Sequence, residues 1–108
     1  MRTPLRTSLA VALAALCGGA MAQQPAASRL HSNLSMCIGC HGIAGYKTAY
    51  PQVYHVPKLG GQSPTYLVNA LKAYRSGERN HPSMRGIAAG LSDKDMEELA
   101  AYYGGTGK

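Results

Sequence analysis

Tryptophan and phenylalanine are both absent from the 108 residues, so seven tyrosines must supply whatever aromatic packing the chain has. There is no internal repeat and no block of like charge, which sets aside repeat arrays and charged tails. No stretch alternates apolar and polar residues clearly enough for a strand, so an all-α domain is expected. The apolar run Leu9 to Leu16 is shorter than the roughly 20 residues that a membrane-spanning helix needs. The length allows one small domain, which leaves little room for a catalytic machine with its own substrate cavity.

The beginning of the chain reads as a processing signal. Arg2 and Arg6 form a basic head, Leu9 to Leu16 an apolar centre, and Ala20-Met21-Ala22 a small-residue cleavage site. Residues 1–22 are therefore expected to be a signal peptide, with export to the periplasm and a mature domain over 23–108. A lipidated Cys17 is the weaker alternative, because bulky Leu16 precedes it where lipoprotein signals place a small residue. Loss of Arg2 and Arg6 lowers the net charge from +6 to +4. A domain of this size builds only a thin apolar core and usually needs a further staple. Only two cysteines survive cleavage, Cys37 and Cys40, and His41 follows them directly.

Three main helices are expected. The first runs from about Ser28 to Cys40, with Leu30, Leu34, Cys37 and Ile38 at helical spacing. The second opens at Ser63 as N-cap with Pro64 behind it and closes at Gly77. Its apolar arc is Tyr66, Leu67, Ala70, Leu71 and Tyr74, and a helical projection puts Lys72, Arg75 and Arg79 on the opposite, outer face. The third starts at Ser92, paired with Asp95 as in a capping box, buries Met96, Leu99, Ala100 and Tyr103, and ends at Gly104-Gly105. Two loops remain, Gly42 to Gln62 and Arg79 to Gly90. The first is too long to be empty in a compact domain, and the second is another such loop, compatible with a short helical turn.

Cys37-Ile38-Gly39-Cys40-His41 is the attachment signature of c-type haem: two thiols add to the vinyl groups and the histidine is directed at the iron. A redox dithiol would need a strand-helix-strand setting, and a zinc site would have to recruit His55 or His81. Haem c, held once and covalently through Cys37 and Cys40, is the cofactor expected. A sixth iron ligand has to come from His31, His55, His81, Met36, Met84 or Met96. His31 and Met36 share the cysteine-bearing helix and Met96 belongs to an apolar stripe. That leaves Met84 in a loop marked by Gly and Pro, with His81 as its rival; a thioether there raises the reduction potential.

These residues resemble the class I cytochromes c, most closely the small bacterial periplasmic monohaem branch, over nearly all of residues 23–108. Pro57-Lys58-Leu59-Gly60-Gly61-Gln62 is similar to the family's proline-leucine-glycine turn. Gly77-Glu78-Arg79 resembles its middle-helix exit, Met84 its sixth-ligand loop, and Leu99 to Tyr103 its closing helix. The resemblance implies three helices and loops wrapped around one haem, the Pro57 carbonyl on the His41 ring nitrogen away from iron, Leu59 as a haem contact, and His41 and Met84 as metal ligands. Gly42 to Val56, with Tyr46, Tyr50 and Tyr54, is longer than the family's compact loop.

The function expected is single-electron transfer without catalysis, by a monomer serving redox proteins such as an oxidase, reductase or dehydrogenase. Lys47, Lys58, Lys72, Arg75, Arg79 and Arg85 are candidates for steering acidic partners. A haem subunit of a dehydrogenase complex, or an open-site haem enzyme or gas sensor lacking Met84 ligation, are the alternatives. Nucleic acid is not expected, since the chain is read as exported and has no aromatic-basic binding motif.

Overall fold

The computed structural model describes residues 25–49 and 53–106. The signal-peptide reading of residues 1–22 lies outside them, as does Tyr50. In chain order the elements are α1 (Ala26–His41), β1 (Lys47–Thr48), β2 (Tyr54–His55), α2 (Pro64–Ser76), α3 (Pro82–Ala89) and α4 (Asp93–Thr106).

Local chemistry sets most of the helix ends. The Ser63 side chain accepts a hydrogen bond from the Tyr66 N–H, satisfying one of the first-turn donors of α2, and Pro64 occupies the position where a missing N–H costs nothing. Gly77 ends α2 at φ +90, a left-handed conformation that favours glycine, while its N–H bonds back to Ala73 and Tyr74. At the start of α4 the Asp95 carboxylate accepts from the Ser92 N–H at 2.8 Å, and the Asp95 N–H donates to the Ser92 hydroxyl at 3.2 Å. This is the reciprocal pair read from the sequence.

Three expectations change. The Arg79 to Gly90 segment is helical over eight of its residues, α3, more than a short turn, so among the described residues a fourth helix joins the three main ones. Lys47–Thr48 and Tyr54–His55 pair antiparallel as a small hairpin, Lys47 opposite His55 and Thr48 opposite Tyr54, where no strand was expected. Finally, α4 does not stop at Gly104-Gly105 but runs through both to Thr106. Gly104 is there for close approach: a Cβ would stand 2.5 Å from Pro64 Cγ and 2.9 Å from the Gln62 carbonyl oxygen.

The core lies where α2 packs on α4 and α3, with α1 laid against α4. Its buried apolar residues are Leu67, Ala88, Leu91, Met96, Leu99, Ala100 and Tyr103, and Met96 is the only large side chain among them that is fully buried. Arg29 of α1 reaches Asp95 with its Nε at 2.9 Å, pinning α1 to the first turn of α4. Around this small core Cys37, Leu59, Leu71 and Tyr74 are packed but only partly buried, and they line the cleft described next.

Candidate functional site

A mostly apolar cleft of about 660 Å³ opens between the end of α1, the hairpin, the 57–62 turn and α3, with α2 and α4 as its floor. Cys37, Cys40, His41, Pro57, Leu59 and Met84 all line it. Both α1 and α3 border this cleft, although the two helices do not pack on each other.

The last turn of α1 delivers the two thiols three residues apart, both unbridged, with Cys37 half-buried and Cys40 exposed. Burial pushes the Cys37 thiol above its ordinary pKa, the opposite of what an activated redox thiolate requires. The His41 Nδ1 lies 2.7 Å from the Pro57 carbonyl oxygen. A carbonyl can only accept, so Nδ1 carries the proton and Nε2 keeps a lone pair for a metal.

The other candidates for a sixth ligand are placed differently. Met96 is wholly buried in the core, and His31 lies exposed on α1 without lining the cleft. Met36 borders the cleft, but from the cysteine-bearing helix. His55 lines the hairpin side. The His81 ring caps α3, its Nδ1 accepting from the Met84 N–H at 3.4 Å. Among the described residues no group of three or more His, Cys, Asp and Glu side chains is gathered as a zinc ion would need.

Arg79 is not on the outer face of α2. Its guanidinium donates to the Tyr66 hydroxyl at 3.1 Å and lies over the Tyr66 and Tyr74 rings, 5.4 and 5.5 Å from their centroids, at the cleft wall. It has no carboxylate partner among the described residues, although a guanidinium fork suits one. Lys72 and Arg75 do occupy the outer face, yet both are drawn to Asp93, at 3.3 and 2.6 Å. Tyr103 was expected only as core. Its hydroxyl is buried with no partner, and burial, followed by the nearby Cys37 sulfur and Tyr102, pushes its pKa up to about 12.

These features fit a haem. Apolar walls would cover the macrocycle, two unbridged thiols stand on one side, a histidine nitrogen is free for iron, and unpaired Arg79 and Lys58 suit the two propionates. Tyr103, whose buried hydroxyl has no partner, is among the residues that line the same cleft. Fold and cleft together define a small all-α protein built around a covalently held haem.

Comparison with known proteins agrees. The family model for cytochrome c matches residues 26–103, and the chain belongs to the cytochrome c family. It is similar to cytochrome c-554(548) of Halomonas halodenitrificans, 45% identical over 73 residues, 65% of this chain and 83% of that protein. It is also similar to cytochrome c4 of Stutzerimonas stutzeri, 37% identical over 81 residues, 71% of this chain and 37% of the relative. To the thiosulfate dehydrogenase electron acceptor of Thiomonas intermedia it is 38% identical over 101 residues, 93% of this chain. The chain spans less than half the length of these last two relatives. As a family member it binds haem c through Cys37 and Cys40 and carries electrons.

Proposed function

We propose that the mature chain is a monomeric periplasmic carrier of single electrons, released from residues 1–22 by signal cleavage, with His41 and Met84 as the two axial iron ligands. The observation that carries this reading is that one mostly apolar cleft is lined by both donors, His41 at the end of α1, its Nδ1 held by the Pro57 carbonyl, and Met84 of α3. Bound haem c supplies an iron that gains and loses one electron with no substrate bond made or broken.

The chain's own residues prepare that site. Pro57 holds the His41 ring by its proton, and Leu59, Leu67, Leu71 and Leu99 keep water from the cleft. A thioether donor favours the reduced state and raises the potential. Among the described residues no helix is long and apolar enough to cross a membrane.

Docking would use fewer cations than the sequence offers. Lys72 and Arg75 are engaged by Asp93, and Arg79 lies in the cleft wall. Lys47 and Lys58 have no acidic partner among the described residues; Lys47 lies opposite His55 in the hairpin, and Lys58 lines the cleft with Tyr54. The chain has no Asp or Glu before Glu78, so this side of the cleft would present positive charge to an acidic partner. The Thiomonas relative is named as the electron acceptor of a dehydrogenase, which makes a dehydrogenase the first donor to try and a fixed haem subunit the second reading.

Visible spectra of the purified protein test the ligation. Reduced c-type bands, together with the weak far-red band of methionine-bound ferric haem, are expected; Met84→Ala should lose that band and lower the potential. A wild-type protein that lacks the band and binds carbon monoxide at once when reduced would overturn the carrier reading in favour of an open-site enzyme or sensor.

A further inference from the structure

We propose that His81 is a positioning residue for Met84, and that the hairpin β1–β2 acts on the iron site through it; the proposal rests on the reading of Met84 as an axial ligand. α3 is only eight residues long, a length at which a helix is marginal without outside support. Its N-cap is a histidine, where serine, threonine, aspartate or asparagine is usual. The ring does the work of those shorter side chains: Nδ1 accepts from the N–H of Met84, the third residue of the helix, while the His81 carbonyl accepts from the Arg85 N–H at 2.9 Å. Pro82 has no N–H to satisfy, so the cap bond falls on the backbone of the residue whose thioether is needed.

An imidazole can cap only if its ring is held in place. The Tyr54 ring lies 5.2 Å from it, tilted by 48°, and the Tyr74 ring meets it edge-on at 6.4 Å. Tyr74 belongs to α2 and is fixed by the core. Tyr54 belongs to β2, and its backbone is tied to Thr48 by hydrogen bonds of 3.3 and 3.4 Å across the hairpin. A second tie, from the Val56 N–H to the Tyr46 carbonyl at 3.0 Å, closes the same loop. The hairpin therefore presents a ring, that of Tyr54, which braces the cap of α3. Tyr54, His81 and Met84 all line the cleft, so the chain of contacts runs from hairpin to ring, to cap, to thioether. The mechanical consequence is that a looser cap lets Met84 leave the iron more often.

The test uses the full haem-loaded protein and reads two things: the far-red methionine band, and the rate at which the reduced protein binds carbon monoxide, which enters only when the sixth position is open. With the usual strength of a helix N-cap, His81→Ala should raise that rate about fivefold and weaken the band. His81→Asn, which can still cap, should restore wild-type behaviour. Tyr54→Ala should move the rate the same way, and the double variant should be no faster than His81→Ala alone, because both act along one path. A His81→Ala rate equal to wild type, or a His81→Asn as fast as His81→Ala, overturns the proposal while leaving Met84 as ligand. A wild-type protein without the band, or a Met84→Ala protein with unchanged rate, overturns the ligand reading instead, and is seen before any change at His81.

Discussion

Asp95 joins the helix that carries the cysteines to the rest of the domain, and its replacement has a consequence that depends on pH. The side chain is 4% exposed. One carboxylate oxygen accepts from the Ser92 N–H, the Ser92 hydroxyl at 2.6 Å and Arg29 Nη2 at 3.0 Å; the other accepts from Arg29 Nε. Burial pushes the carboxyl pKa up, but the two Ser92 donors and the Arg29 charge outweigh it and leave the group below its ordinary value. A depressed native pKa means that the charged form stabilises the fold. That stability is complete above the ordinary carboxylate value of about 3.9 and is lost as pH falls through the lower native value. Asp95→Asn keeps the shape, removes the charge and sets an amide among donors. The Ser92 hydroxyl still caps the helix, but its own N–H and O–H lose a charged acceptor, which is worth about 1 kcal/mol. The Arg29 bond adds about 1 kcal/mol, a modest value because that side chain is half exposed. Guanidinium unfolding of the haem-loaded protein near pH 7 should therefore show a loss of about 2 kcal/mol, with the gap narrowing in acid as wild-type Asp95 takes up its proton. A gap of the same size in strong acid would refute the electrostatic account, and no gap at neutral pH would refute the role of the junction altogether.

Gly104→Ala gains about 1 kcal/mol of helix propensity but forces a methyl against the Pro64 ring and the Gln62 carbonyl; a net loss of about 1–2 kcal/mol is expected, and equal stability in denaturant would show that the approach is not tight. Exchanging both Cys37 and Cys40 for Ala should leave a largely unfolded chain, since so few apolar side chains are buried by protein alone; full helical circular dichroism without haem would contradict this. Lys47→Glu with Lys58→Glu should slow electron transfer to an acidic redox protein at low salt and flatten its dependence on ionic strength, whereas an unchanged salt dependence would move the docking face elsewhere.

What could be read from the sequence was what is encoded by neighbours in the chain. Ser63, Pro64 and Gly77 bound α2 by local hydrogen bonds and backbone conformation, and Ser92 with Asp95 marks the start of α4 in the same way. The attachment motif occupies five consecutive residues, so its chemistry is legible without a fold. The misread features depend on distant partners. Gly104 looks like a helix stop, but its reason is Pro64, forty residues away. The strands of the hairpin are two residues each, too short to show alternation. α3 carries no ordinary cap and draws its stability from packing on α2. Arg79 shows the physical limit most directly. A projection at 100° per residue puts it beside Lys72 and Arg75, but that geometry holds only while the helix continues. At Gly77 the backbone turns left-handed, the Arg79 N–H bonds back to the Ala73 carbonyl, and the side chain swings over Tyr66 and Tyr74 to the cleft. One glycine thus converts a residue read as surface charge into part of the cleft wall, so patterning arguments should stop at the first left-handed residue and begin again beyond it.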